Sequence, residues 1–393
     1  MKRFVRRLII VSMSFLFALG LAEVLIRIAG LGEKGSIGVL YEYSARFGWV
    51  HKPHAEMAHV SDEFDVTWRF NNRGFRDEED VDATARGRCV LVLGDSHTAG
   101  HGVETTDTFA HQIEQQWNRN LRVLNLGVDG YTTSQQLLQL ESFIDEFDPR
   151  GVVLGVYPAN DFRENLEGRG LGGFPRPIFD ASLNVKPLPP GERKHGEAGW
   201  VRRTKDFLSE SSKLYVFVGN ALKNGPLHEA LSAIGLMSPP PEDRVRQVVE
   251  RCYGAYGQCL WQCTDTRKRT LEGMDRTIAL ISRLQERCAE NATPLLIIVI
   301  PVRIQVQGDP AALLQGAKDL GVERDPRDIV REYHELFLEK CHQEGLDIVD
   351  ILGEFRKSED TLYYPVDWHL TPQGHEKIAE IVVRESRIRG WFE

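Results

Sequence analysis

The run Cys89-Val90-Leu91-Val92-Leu93-Gly94, followed at once by Asp95-Ser96-His97, constrains this chain more than any other segment. Its side chains are apolar without alternation, so a strand built from it must be covered on both faces. Strands of that kind belong to parallel sheets with helices on either side. They end at the carboxyl edge of the sheet, where α/β proteins place their ligands. The hydroxyl delivered to that edge is Ser96, which becomes a nucleophile if a base can reach it.

From Cys89 onward strands and helices alternate. Segments 90–93, 123–126 and 152–157 read as strands, with helical segments over 106–117 and 134–147 between them. The pattern resumes with a helix over 270–290, a buried strand over 295–300, a helix over 328–344, a short strand over 346–349 and a closing helix over 373–387. Right-handed crossovers between such strands give a parallel sheet with helices on both faces. Between Asn160 and about Arg267 the alternation lapses, with Gly- and Pro-rich stretches at 169–199 and 238–241. This insertion, about 162–267, follows the third core strand and is expected to be a lid or substrate-facing element. Its apolar segment 214–218 leaves plain packing as the alternative. Residues 33–88 read as an accessory layer, with strand candidates at Phe47-Gly48-Trp49-Val50 and Val66-Thr67-Trp68-Arg69-Phe70.

The amino terminus has a different character. Lys2, Arg3, Arg6 and Arg7 precede an uncharged run over 8–22, and helical hydrophobicity continues past Glu23 and Arg27 to Leu31. Residues 1–32 are therefore expected to be a signal anchor, long enough to cross a hydrocarbon core of about 30 Å. Glu23 and Arg27 are spaced to pair on one helix face. The leading basic residues favour an N-in orientation, with a catalytic domain outside the cytoplasm. The competing reading is a cleaved signal peptide ending near Gly20-Leu21-Ala22 and a secreted product. Export suits a structural disulfide among Cys252, Cys259 and Cys263, with zinc as the alternative. Cys89, Cys288 and Cys341 lie in apolar elements and read as small buried side chains. A net charge of -9 without a dense basic stripe argues against a nucleic-acid partner. No Gly-x-Gly-x-x-Gly or Walker loop follows a strand, so a nucleotide or flavin site is not expected and no such cofactor is called for.

Acyl transfer through serine needs a nucleophile, a base, a group that orients the base, and donors for the oxyanion. Near the carboxyl terminus, Asp367-Trp368-His369 stands just before Thr371-Pro372, which reads as an N-cap and first helical residue. His369 in that loop has the ordinary pKa of a general base, and Asp367 can hold its tautomer. Gly127, after the second strand, offers either a backbone N–H or only a turn. Asn160, after the third strand, offers an amide donor or an Asx cap. His97 either lines the pocket or sits partly exposed at a helix start. Asp95 is expected to be structural, bonding loop N–H groups.

With Gly94-Asp95-Ser96, Gly127, Asn160-Asp161 and Asp367-Trp368-His369 in this order, residues 89–390 resemble the SGNH hydrolase superfamily (GDSL-type esterases and lipases). The likeness is strongest to single-pass membrane-anchored members, which carry a segment of the type Asn72-Arg73-Gly74-Phe75-Arg76 ahead of the nucleophile. The resemblance implies a flavodoxin-like three-layer α/β/α sandwich and metal-independent ester chemistry. It implies Ser96 as nucleophile, His369 as base and Asp367 as its partner. The oxyanion hole would comprise the Ser96 N–H, Gly127 and Asn160. An exported location brings acyl esters of glycans and of lipids within reach as substrates, without choosing between them. One departure bears on this: only Trp368 separates Asp367 from His369, where many members have two residues. That spacing resembles acetyltransferase-like branches, leaving an extracytoplasmic carbohydrate O-acetyltransferase as an alternative to a hydrolase. It also leaves a backbone carbonyl as an alternative orienting group. The rival of another class is a catalytically inactive glycan-binding protein.

Overall fold

The computed structural model describes residues 2–28, 40–117, 121–186, 264–307 and 325–391, with isolated positions between 188 and 218. The Cys252, Cys259 and Cys263 cluster and most of the expected 162–267 insertion lie outside the described residues. The chain divides into two compact units, Met1–Val39 with His195–Glu242, and Leu40–Lys194 with Asp243–Glu393.

In the first unit, Lys2–Ile28 forms helix α1. The expected pair is present: Arg27 Nε donates to Glu23 Oε1 at 2.7 Å. Glu23 also accepts from the Ser212 hydroxyl and the Lys213 and Leu214 N–H groups. Among the described residues no helix is long and apolar enough to cross a membrane, so the expected span is not shown. Leu8, Ile9 and Ser12, inside the apolar run, are not among the side chains described.

The second unit opens with two antiparallel hairpins, β1 (Tyr41–Ser44) with β2 (Gly48–His51) and β3 (Glu56–Val60) with β4 (Asp65–Arg69). β2 and β4 match the two strand candidates. β1 and β3 had no apolar run to announce them and form by pairing to those neighbours. Trp49 and Trp68 are fully buried. Arg76, also buried, donates to Arg69 O, Val103 O and Thr105 Oγ1, with its guanidinium over the Trp68 ring. These bonds tie the hairpin layer to the loop that follows Ser96.

The core sheet then alternates with helices: β5 (Cys89–Leu93), α2 (Ser96–Ala99), α3 (Phe109–Gln116), β6 (Arg122–Asn125), α4 (Thr133–Phe147), β7 (Gly151–Val156) and α5 (Pro158–Glu164). It continues with α6 (Thr264–Glu290), β8 (Leu295–Val299), α7 (Arg303–Val306), α8 (Pro326–Gln343), β9 (Ile348–Asp350), α9 (Leu352–Phe355) and α10 (Pro372–Ile388). All neighbours pair in parallel, in the order β6-β5-β7-β8-β9. This is the flavodoxin-like order, whose direction reverses between β5 and β7. α3 packs with α10, while α4 and α5 pack with α6. Right-handed crossovers put these two groups on opposite faces of the sheet.

Every residue of β5 and β7 is buried, as central strands covered on both sides require. The last strand starts two residues later than expected because Leu346 is still closing α8, its N–H donating to Cys341 O at 3.0 Å. The expected helix over 106–117 resolves into a 3-10 turn at Thr105–Asp107 and then α3, with the Thr108 side chain capping α3 through the His111 N–H. Cys89, Cys288 and Cys341 are free and buried, and burial pushes each thiol up to about 12.

Candidate active site

The turn after β5 is set by close packing. A Cβ on Gly94 would lie 1.9 Å from Thr98 Oγ1, so only glycine fits between strand and helix. Asp95 caps α2, accepting from the His97 N–H at 2.9 Å, and Ser96 becomes the first helical residue. Its N–H is one of the donors that a helix start leaves without an intrahelical acceptor. The second Asp95 oxygen accepts from Asn160 Nδ2 at 2.8 Å. Asp95 is thus structural, as expected. Burial pushes its carboxyl up to about 8, aided by the charge of Asp161 and opposed by these bonds.

The other half of the site comes from the turn before α10. Thr371 caps that helix, accepting from the Gly374 N–H at 3.2 Å, with Pro372 next, as the sequence predicts. Tyr364 N–H donates to His369 O and Trp368 N–H to Tyr364 O, closing a tight turn. Trp368 sits at φ 76°, a region bulky residues rarely enter. The turn is held from outside by Glu63, in the β3–β4 connection, which accepts from the Val366 and Asp367 N–H groups.

With the turn so held, His369 Nδ1 meets Asp367 Oδ1 at 2.6 Å, and His369 Nε2 meets Ser96 Oγ at 2.8 Å. A carboxylate, not a backbone carbonyl, therefore faces Nδ1. Ionised Asp367 only accepts, so the ring carries its proton on Nδ1 and presents a bare Nε2 to the hydroxyl. Burial lowers the His369 pKa below the ordinary histidine value; the neighbouring His101 adds to this and Asp367 opposes it. For Asp367, burial raises the pKa, but the flanking His101 and His369 rings overcome it and hold the carboxyl well below the carboxylate range.

The two other expected oxyanion donors lie nearby in different states. Asn160 is not in a loop, and it makes no Asx cap: it is the third residue of α5, and its amide is given to Asp95. Gly127 packs on α2 so closely that a Cβ would stand 2.3 Å from Ala99 N. Its N–H donates to Asn125 Oδ1 at 3.0 Å, so in this arrangement that donor is committed to its own turn. Asp161 has a structural task, accepting from Thr133 N–H at 2.7 Å and Thr133 Oγ1 at 2.8 Å to cap α4.

One expectation is corrected. His97 is not a partly exposed helix-start residue but is buried, 3% exposed, with its ring 4.2 Å from Tyr157 and 4.9 Å from His369. α2 is pinned between the Gly94 turn and Gly127, and Tyr157 at the end of β7 covers its start.

Sequence reasoning missed two further residues, His101 and Asp129. His101 Nδ1 meets Asp129 Oδ1 at 2.8 Å, and its Nε2 stands 3.7 Å from Asp367 Oδ2. The only local signal was a second histidine five positions past Ser96. His101, Asp367 and His369 are spaced closely enough to hold a metal ion. Of their facing atoms, His101 Nδ1 is paired with Asp129, His369 with Asp367 Oδ1 and Ser96, while His101 Nε2 and Asp367 Oδ2 stand at ion-pair distance, 3.7 Å.

The chain matches no protein-family model, and no curated protein matches it. Among solved structures it is similar to a lipase/acylhydrolase from Enterococcus faecalis, at 14% identity and a TM-score of 0.35, over 77% of this chain and 96% of that one. It is similar to the psychrotrophic esterase EstA from Pseudoalteromonas sp., at 10% identity and 0.34, over 77% and 98%. A GDSL-like lipase from Bacteroides thetaiotaomicron gives 10% identity and 0.32, over 76% and 89%.

Proposed function

We propose that this chain is a serine esterase of the SGNH type that cleaves an acyl ester through an acyl-enzyme. The observation that carries the reading is the unbroken link Ser96 Oγ–His369–Asp367, at 2.8 and 2.6 Å. Ser96 Oγ attacks the acyl carbon while its proton passes to His369 Nε2, and Asp367 stabilises the imidazolium that forms. The ester C–O bond then breaks, and the departing alkoxide takes the proton back from His369. Water repeats the sequence in reverse, giving its proton to His369 and releasing the acid. The Ser96 N–H and the Asn160 amide serve the oxyanion, with the Gly127 N–H joining on release from Asn125.

A small chromogenic acetyl ester tests this. Wild type should turn over and Ser96→Ala should lose essentially all activity; equal rates in the two would remove the nucleophile assignment. The single residue between Asp367 and His369 keeps the transferase alternative in view. Acyl transfer to an added carbohydrate in preference to water would convert the reading to O-acetyltransferase with the same residues.

The domain reading that accompanies this is an anchor at 1–32, an accessory layer at 33–88 and the catalytic domain at 89–390. Anchoring is supported by Phe15, Leu16 and Phe17, exposed on α1 to 64%, 66% and 74%, behind Arg6 and Arg7. Burying such side chains in lipid is favourable by about 2 kcal/mol each. Deleting residues 2–28 should release the protein from the membrane fraction, and full-length chain found free of membranes with its amino terminus intact would refute the anchor.

A further inference from the structure

His101 closes the turn that begins at Ser96, its N–H donating to Ser96 O at 3.0 Å, so ring and nucleophile share one loop. The ring lies against His369, with centroids 4.1 Å apart and planes at 26°. Nδ1 meets Asp129 Oδ1, while Nε2 faces Asp367 Oδ2, the oxygen that His369 leaves unused. An imidazole that bonds one carboxylate and stands 3.7 Å from a second is favoured in its doubly protonated, charged form. Burial works against that charge, but Asp129 and Asp367 prevail and raise His101 to about 9.

The far end of the link is anchored in the hairpin layer. Asp129 Oδ2 accepts from the Tyr41 hydroxyl at 2.8 Å, and its carbonyl accepts from Trp49 Nε1 at 3.0 Å. His51 Nε2 stands 3.7 Å from the same carboxylate. From β3 and β4, His59 and Trp68 meet the His101 ring edge-on, at 4.5 and 5.5 Å.

We propose that His101 is a positioning residue for the reaction, holding Asp367 square to His369 through a link that ends on Asp129 and the β1–β2 hairpin. This rests on the reading of Ser96, His369 and Asp367 as nucleophile, base and orienting carboxylate. The link does two things. It sets a positive charge 3.7 Å from the free oxygen of Asp367, which favours the carboxylate keeping Oδ1 on the His369 Nδ1–H. It also sets a cation against the face of His369, which weakens that ring's hold on a proton. The charged groups facing His101 are Asp129 and Asp367; His369, His59 and His97 also act on it, each held towards neutrality by burial, and the Arg76 charge interacts with Asp129.

The test is His101→Gln, which keeps a planar donor but cannot carry charge. Histidine-ring NMR should show the titration midpoint of His369 moving upward by about one pH unit, as loss of a neighbouring like charge demands. With an acetyl ester the acid limb of kcat/KM should move upward in step, and kcat should fall while KM changes little. Asp129→Asn should act in the same direction, and it serves if the Gln variant does not fold. A His369 midpoint unmoved in a folded variant would overturn the proposal, whatever happens to stability. A wild type inert towards esters would count against the triad reading instead, and the NMR titration would still decide the role of His101.

Discussion

Asn160 donates its amide to Asp95 Oδ2 at 2.8 Å, bridging the first turn of α5 to the residue just ahead of the proposed nucleophile. The contact braces the amide in place while leaving one of its N–H bonds for a ligand. If that remaining N–H serves the oxyanion, Asn160→Ala should lower kcat by about 10²- to 10³-fold with KM little changed. Loss of thermal stability with kcat intact would reduce Asn160 to a brace for Asp95.

The pH dependence follows from the base. His369 must be neutral to accept the Ser96 proton, and burial together with His101 holds its pKa below the ordinary value. A base with a lowered pKa stays unprotonated to lower pH. The acid limb of kcat/KM should therefore fall below about 6.5, the unperturbed histidine value. A limb at or above that value would mean that His369 is not the titrating base.

Glu63 should matter although it touches no reacting atom. It accepts from the backbone N–H groups of Val366 and Asp367 and so fixes the turn that carries His369. Glu63→Gln weakens these charge-assisted bonds, at a cost of about 1 kcal/mol. The expected result is a fall of roughly fivefold in kcat for that loss of positioning. An unchanged kcat with an unchanged melting temperature would show that the turn holds itself.

Stability should also report His101. Its folded pKa, about 9, lies above the unfolded value of 6.5. The stabilisation is therefore fully present below pH 6.5 and lost as pH rises through 9, with an upper bound of about 3 kcal/mol. The stability difference between wild type and His101→Gln should shrink over that window in denaturant titrations. A constant difference from pH 6 to 9 would mean that His101 is not charged in the folded state.

Much of this site was legible because its signals are local. The unalternating apolar run ending in Gly94 announces a central strand, and Thr371-Pro372 announces the helix start that positions His369. What was not legible depends on tertiary contact. Asp129 and His101 acquire meaning only when β1 and β2 bring Tyr41, Trp49 and His51 onto the loop after β6. The burial of His97 leaves no local signal because its cover, Tyr157, arrives from another strand. Gly127 shows the same limit: its close approach to α2 was foreseeable from the residue type, whereas the capture of its N–H by Asn125 was not.

The most direct measurement is covalent labelling of the intact protein with a fluorophosphonate, followed by mapping of the modified peptide. An activated Ser96 should be labelled to near one equivalent, with the adduct on that residue and with labelling lost in His369→Ala. Absence of labelling in folded wild type, or an adduct on another serine, would contradict the account.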